Sequence, residues 1–274
     1  MSGASPSKAI WSAPEHHLTA HTSVAATRPA PQSTMTGRPV RVAVIDSGVS
    51  LPHPHIGTIA AGVTIRPDGS TAPDYFDRLG HGTAVAAAIK ERAPHADIFA
   101  VKVFDWELSA PVETLVCAIN WAASRQVDLI NLSLGTRQPD QANRLQKATS
   151  DAMRSGALVV AARGPDGVDY LPGSLDGVVP VELDWDCPRL AVTVDEGRDG
   201  PPRCRASGYP KPTPDEDVEN ELCGLSLAVA NVTGLLARHL PADGRRPVTT
   251  AIEVLRRVQR EFSHSDGSSR VLRP

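Results

Sequence analysis

The chain carries no long basic run, no apolar stretch close to the length of a membrane span, and no charged-then-apolar leader at its N-terminus. With a formal net charge of -3, the missing basic run argues against nucleic acid as the main partner. The missing span and leader lead to the expectation of a soluble protein with no membrane partner, retained in the cytoplasm. There are only four cysteines, Cys117, Cys187, Cys204 and Cys223, and their spacing is not that of a metal site. Neither metal nor cofactor is therefore expected, and the thiols should stay reduced, with a Cys187–Cys204 bridge as the alternative. No internal repeat is present. What remains is 274 residues, 41% hydrophobic and 22% charged, enough to bury a substantial core in one large domain or two small ones.

Residues 1–38 are rich in Ser, Thr, Ala and Pro without sustained periodicity, the composition of a flexible arm, with a substrate-like or regulatory arm as the alternative. A folded domain is expected over 39–264, followed by a flexible tail over 265–274. Residues 40–45 form a nearly continuous apolar run ending in Asp46-Ser47-Gly48, which predicts a buried strand that terminates in a carboxylate. Further strands are predicted at 98–103, 128–134, 157–162, 178–183 and 190–194. Helical spacing predicts helices at 111–124, 140–155, 226–239 and 249–262. Strands alternating with helices imply an α/β fold, a mainly parallel sheet covered on both faces. The stretch 210–221 is proline-rich and then acidic, and reads as a solvated loop.

In such a sheet, chemistry gathers beyond the carboxyl ends of the strands. Asp46 ends one strand. His81 stands between Gly80 and Gly82 at the start of an alanine-rich helix, where it is either a fixed base or a capping residue in a tight turn. Ser226 opens an apolar helix with small residues at Ala230 and Gly234. That site favours a developing anion, though serine is also a common N-cap. His53, next to Pro54, reads as a turn residue rather than a second base.

These segments resemble the subtilisin-like serine proteases, in the family's order of Asp, His, Ser. Val44-Ile45-Asp46-Ser47-Gly48-Val49 with His53-Pro54 resembles the aspartate motif, and Gly80-His81-Gly82-Thr83-Ala84-Val85 the histidine motif. Asn131-Leu132-Ser133-Leu134-Gly135 resembles the strand that pairs with extended substrate, and Ala100-Val101-Lys102-Val103 and Ile119-Asn120-Trp121-Ala122 also fit. The resemblance covers about residues 40–262. It implies a three-layer fold and a triad of Asp46, His81 and Ser226. Substrate would bind along Ser133, Leu134, Gly135, Ala161 and Ala162, with an edge at 106–109 as a further pairing strand.

The family's oxyanion asparagine falls where this chain has Pro165, within Ala161-Ala162-Arg163-Gly164-Pro165-Asp166-Gly167. Proline brings neither a side-chain donor nor an N–H. The oxyanion region then comprises Gly164, Pro165 and the backbone N–H of Ser226, with Arg163 as a substitute donor or a solvated surface residue. Loss of one such donor costs about 10²–10³ in turnover. The serine motif also departs: Leu225 and Leu227 flank Ser226, and Ala230-Asn231 stands in place of the family's Pro-His pair. The segment 81–102 is too short for the calcium loop of secreted members, and the 38-residue arm is too short for a folded prodomain. The resulting expectation is a slow or selective serine endopeptidase that processes a peptide or precursor through an acyl-enzyme. The alternatives are an impaired protease-fold peptide binder and an acyl-transfer ligase or macrocyclase shielded by the 210–221 loop.

Overall fold

Apolar residues in strands β2 (Arg41–Asp46) and β5 (Asp97–Lys102) serve two cores in turn, because successive side chains leave a strand on opposite faces. Val42, Val44, Ile98 and Ala100 enter one core; Ala43, Ile45, Phe99 and Val101 enter the other. That two-sided burial is why these segments read as unbroken hydrophobic runs. The computed structural model describes residues 8–10, 38–164, 169–195, 202–210, 222–241 and 246–267.

The remaining strands are β1 (Lys8–Ile10), β3 (Ala61–Ile65), β4 (Thr71–Ala72), β6 (Ser109–Pro111), β7 (Leu129–Leu132), β8 (Leu158–Ala162), β9 (Val179–Leu183), β10 (Thr193–Asp195) and β11 (Arg203–Ala206). The helices are α1 (His81–Arg92), α2 (Val112–Ser124), α3 (Ala142–Arg154), α4 (Leu225–His239) and α5 (Val248–Gly267). Nine strands form one sheet in the order β10-β11-β9-β8-β7-β2-β5-β3-β4. From β11 to β3 the pairing is parallel; the outer pairs β10/β11 and β3/β4 are antiparallel. Helices α1, α4 and α5 pack on one face, α2 and α3 on the other. This is the expected three-layer arrangement.

Pro111 sits immediately before α2, where its lack of an N–H costs nothing. Helix α4 is buried along its length from Leu225 to Ala237, between the sheet and α1. Gly234 allows that approach: a Cβ there would stand 2.6 Å from Cβ of Arg92 on α1.

The sequence did not predict β3, β4, β6 or β11. Each is at most five residues long, too short for alternation to stand out against flanking polar residues. The strand expected at 190–194 forms later, at Thr193–Asp195. β1 lies inside the N-terminal arm and pairs antiparallel with β6, Ala9 opposite Ala110. Cys187 and Cys204 are not bridged. Burial pushes the Cys204 thiol up to about 12. No helix among the described residues is long and apolar enough to cross a membrane.

Candidate active site

Asp46 is the last residue of β2, fully buried, in register with Lys102 at the end of β5. The chain turns away through Gly48, whose φ of +105° and whose contact with the Tyr75 carbonyl both exclude a side chain. The Ser47 N–H donates to Asp46 Oδ1 at 2.7 Å.

His81 is the first residue of α1, entered through left-handed Gly80. Gly82 lets this first turn lie directly on the Asp46 loop: a Cβ there would be 2.3 Å from the Gly48 carbonyl oxygen. His81 Nδ1 lies 2.6 Å from Asp46 Oδ1, and Nε2 lies 2.8 Å from Ser226 Oγ. A carboxylate only accepts, so Nδ1–H donates to Asp46 and Nε2 is left to accept the Ser226 hydroxyl. Burial alone would lower the basicity of His81. The charge and hydrogen bond of Asp46, with the charge of Asp77, outweigh it and hold the imidazole above its ordinary range. The second carboxylate oxygen, Asp46 Oδ2, is buried without a hydrogen-bond partner among the described residues.

Ser226 lies in the first turn of α4. The Gly224 carbonyl takes the N–H groups of Leu227 and Ala228, while the N–H of Ser226 is bonded to nothing among the described residues. That free donor, at the positive end of a fifteen-residue helix, suits an anion beside Oγ. Beneath it runs a buried polar chain. Ser133 Oγ donates to the Ser226 carbonyl at 3.2 Å, Asn131 Nδ2 to Ser133 Oγ at 2.9 Å, and Thr233 Oγ1 to Asn131 Oδ1 at 2.8 Å. Asn231 occupies a second bridge. It accepts from Arg92 at 3.0 Å and donates to the Ser207 carbonyl at 2.9 Å, so α1 and α4 are joined at side-chain level. Burial lowers the Arg92 guanidinium to about 10.

Ser133, Leu134 and Gly135 continue beyond the end of β7, and Ala161 and Ala162 end the neighbouring β8. The Ser133 hydroxyl is thus engaged with Ser226. Past Leu132 the main chain makes no further backbone pairing among the described residues until Thr136, which exchanges bonds with Leu171 at 2.9 Å each way. All three of Ser133, Leu134 and Gly135 are buried. Gly164 is buried. Pro165 lies outside the described residues, as does most of the 210–221 loop. The Arg163 side chain is half-buried, its Nε 3.8 Å from the buried Glu182 carboxylate, which Arg203 and Arg205 also approach. His53 serves a turn, its carbonyl accepting from Ile56 and Gly57.

Sequence reasoning did not single out Asp77 or Thr83. An Asp and a Thr bracketing Gly80-His81-Gly82 are helix-start signals that could have found them. Asn131 and Thr233 are 102 residues apart and carry no local signal of their pairing.

The fold and this arrangement define a three-layer α/β protein with serine, histidine and aspartate gathered beyond the carboxyl ends of a parallel sheet. The chain belongs to the subtilase family, whose model matches residues 37–183, a stretch that contains Asp46 and His81 and ends before Ser226. It is 37% identical over 160 residues to the minor extracellular protease Epr of Bacillus subtilis (strain 168), covering 54% of this chain and 24% of that protein. It is 37% identical over 141 residues to subtilisin E of the same organism, covering 48% of this chain and 36% of that one. The match thus spans well under half the length of these relatives. The crystal structure of a cold adapted subtilisin-like serine proteinase superposes with a TM-score of 0.62 at 21% identity, over 84% of this chain and 85% of that one. That likeness is one of fold.

Proposed function

We propose that the protein is a subtilisin-like serine endopeptidase acting on a peptide or precursor through an acyl-enzyme. The observation that carries this reading is the continuous hydrogen-bond path from Ser226 Oγ through the His81 ring to Asp46. Serine is a weak nucleophile at neutral pH, so His81 Nε2 takes its proton as Oγ attacks the scissile carbonyl. Asp46 keeps the ring in the tautomer that can accept and stabilises the imidazolium that forms. The tetrahedral oxyanion is met by the free N–H of Ser226 at the start of α4. The imidazolium then returns its proton to the departing amine, leaving an acyl-Ser226 ester. Water activated by His81 hydrolyses that ester.

Extended substrate would lie along 133–135 as an added strand. That β6 already takes β1 as an antiparallel partner supports the same mode at Ser109–Pro111, three residues beyond Trp106. A reducing, cytoplasmic location belongs to the same proposal and is supported by the unpaired buried thiols of Cys187 and Cys204.

The test is labelling by a fluorophosphonate probe, read by intact mass beside Ser226→Ala and His81→Ala. Labelling of the parent that is lost in both variants is expected. An unlabelled parent would sink the enzymatic reading. It would favour the second one, a protease-fold peptide binder, which the replacement of the oxyanion asparagine by Pro165 supports. Pro165→Asn is expected to raise peptide hydrolysis by up to about 10²-fold, if the missing donor limits turnover.

A further inference from the structure

Asp77 belongs to no motif that identifies the site, yet its carboxylate is among the best-satisfied groups around it. Oδ1 accepts from the N–H groups of Leu79 and Gly80 at 2.9 Å each, and Oδ2 accepts from Thr83 N–H at 2.9 Å and Thr83 Oγ1 at 2.6 Å. Thr83 Oγ1 accepts in turn from the Ser50 N–H at 3.0 Å, while Ser50 Oγ donates to the Asp77 carbonyl at 2.9 Å. The Gly82 N–H donates to Ser47 Oγ at 2.9 Å.

Two consequences follow. Gly80, the N-cap of α1, has no side chain to satisfy the first-turn N–H groups, and Asp77 and Ser47 do so from outside the helix. The same bonds clasp the loop 47–50, which continues from Asp46, onto the helix that begins with His81. A helix N-terminus carries partial positive charge and so opposes a protonated imidazole at its first position. The ionised Asp77 carboxylate sits at that end and offsets it.

We propose that Asp77 is a positioning residue that acts through His81, holding its helix against the Asp46 loop and supplying negative charge that stabilises the imidazolium formed during attack. This rests on the role of His81 as the base in the proposed endopeptidase. The carboxylate is suited to staying ionised. Burial would raise its pKa, but the bonds from Thr83 and Leu79, with a contribution from the Ser47 hydroxyl, bring it below the usual range.

The other charged groups on the elements around the ring, among the described residues, are placed as follows. Asp46 faces it from β2. Lys102, on the same sheet face of β5, is held by Asp105 and the Phe76 carbonyl. Arg78 turns outward to Asp74 and Asp105. The charged residues of α4, Arg238 and His239, lie in its last turn, and Lys90, Glu91 and Arg92 lie at the far end of α1.

The experiment is the rate of fluorophosphonate labelling of the full chain between pH 5 and 9, for the parent, Asp77→Asn, Thr83→Val and Thr83→Ser. Removing the Asp77 charge should move the acid limb of the profile to lower pH. The plateau should drop roughly tenfold, short of the 10²–10⁴ lost with the base itself. Thr83→Val keeps the charge and loses two bonds of the clasp, to Asp77 Oδ2 and from the Ser50 N–H, so its plateau should fall without displacement of the limb, and Thr83→Ser should restore it. An Asp77→Asn plateau that falls with an unmoved acid limb overturns the proposal, as does an unchanged profile. If Asp77→Asn does not fold, equal plateaus for Thr83→Val and Thr83→Ser overturn it. A parent unlabelled at every pH overturns the endopeptidase reading itself, and this inference falls with it. Labelling lost in Ser226→Ala and His81→Ala but indifferent to Asp77→Asn overturns this inference alone.

Discussion

At Gly82 the geometry of the site depends on one missing methyl group. A Cβ there would meet the Gly48 carbonyl oxygen at 2.3 Å, in the turn that presents the carboxylate, and Cβ of Asp46 itself at 3.1 Å. Gly82→Ala must push α1 away from that turn and lengthen the bond from His81 to Asp46. We expect a stability loss of about 1–3 kcal/mol, the usual cost of overpacking. Labelling of Ser226 should fall more than tenfold. Thermal denaturation beside labelling kinetics checks both, and a variant with parental labelling would contradict this account of the glycine. Thr233 poses a gentler test. Its hydroxyl is the far end of the relay to the Ser226 carbonyl, so Thr233→Val leaves Asn131 Oδ1 buried without that donor. The variant should lose about 1–3 kcal/mol of stability by chemical denaturation, with volume almost unchanged.

Among the elements, the pairing of β1 with β6 has a functional edge to it. Pro111 carries no N–H, so Lys8 and Pro111 cannot be a mutually bonded pair. The alternation of an antiparallel ladder then makes Ala9 and Ala110 the pair that exchanges N–H and C=O. A peptide that adds to Ser109–Pro111 must first displace residues 8–10. Ala9→Pro removes the arm's donor without touching β6, and should lower KM for an extended peptide while leaving kcat unchanged. A KM equal to the parent's would show that peptide does not use this edge. The contact between α1 and α4 invites a different measurement. Arg92 binds Asn231 and the Arg189 carbonyl from a buried position, and Glu91 holds Arg189 through two bonds of 2.6 and 2.8 Å. These bonds fix the helix of His81 against the helix of Ser226. Arg92→Met should therefore weaken both stability and labelling, since Asn231 Oδ1 loses its charged donor.

At the scale of the whole molecule, the parts legible in the sequence were those with a strong local signature. The central strands were readable because burial on both sides produces unbroken apolar runs. Asp46 and His81 were readable because glycines crowd them where the backbone must approach closely. The short strands β3, β4, β6 and β11 were not, and neither was the Thr233–Asn131–Ser133 relay, which exists only once α4 has packed on β7. Asp77 was hidden for a related reason: its importance comes from four bonds to groups that converge only in the folded loop. That carboxylate also gives the molecule a predictable response to acid. Its pKa is below the ordinary 3.8 in the folded protein, so its stabilising contribution is present above 3.8 and disappears as pH falls through the lower folded value. His81 works in the opposite sense. Its pKa is raised above 6.5, so its contribution is complete below 6.5 and is lost as pH rises through the folded value. Melting temperatures of the parent and Asp77→Asn, measured from pH 7 to pH 3, should therefore differ most between pH 6.5 and 3.8, where both contributions are present, and converge as the Asp77 carboxylate takes up its proton. A difference that stays constant down to pH 3 would mean that the ionised form of Asp77 contributes no more to the fold than its neutral isostere.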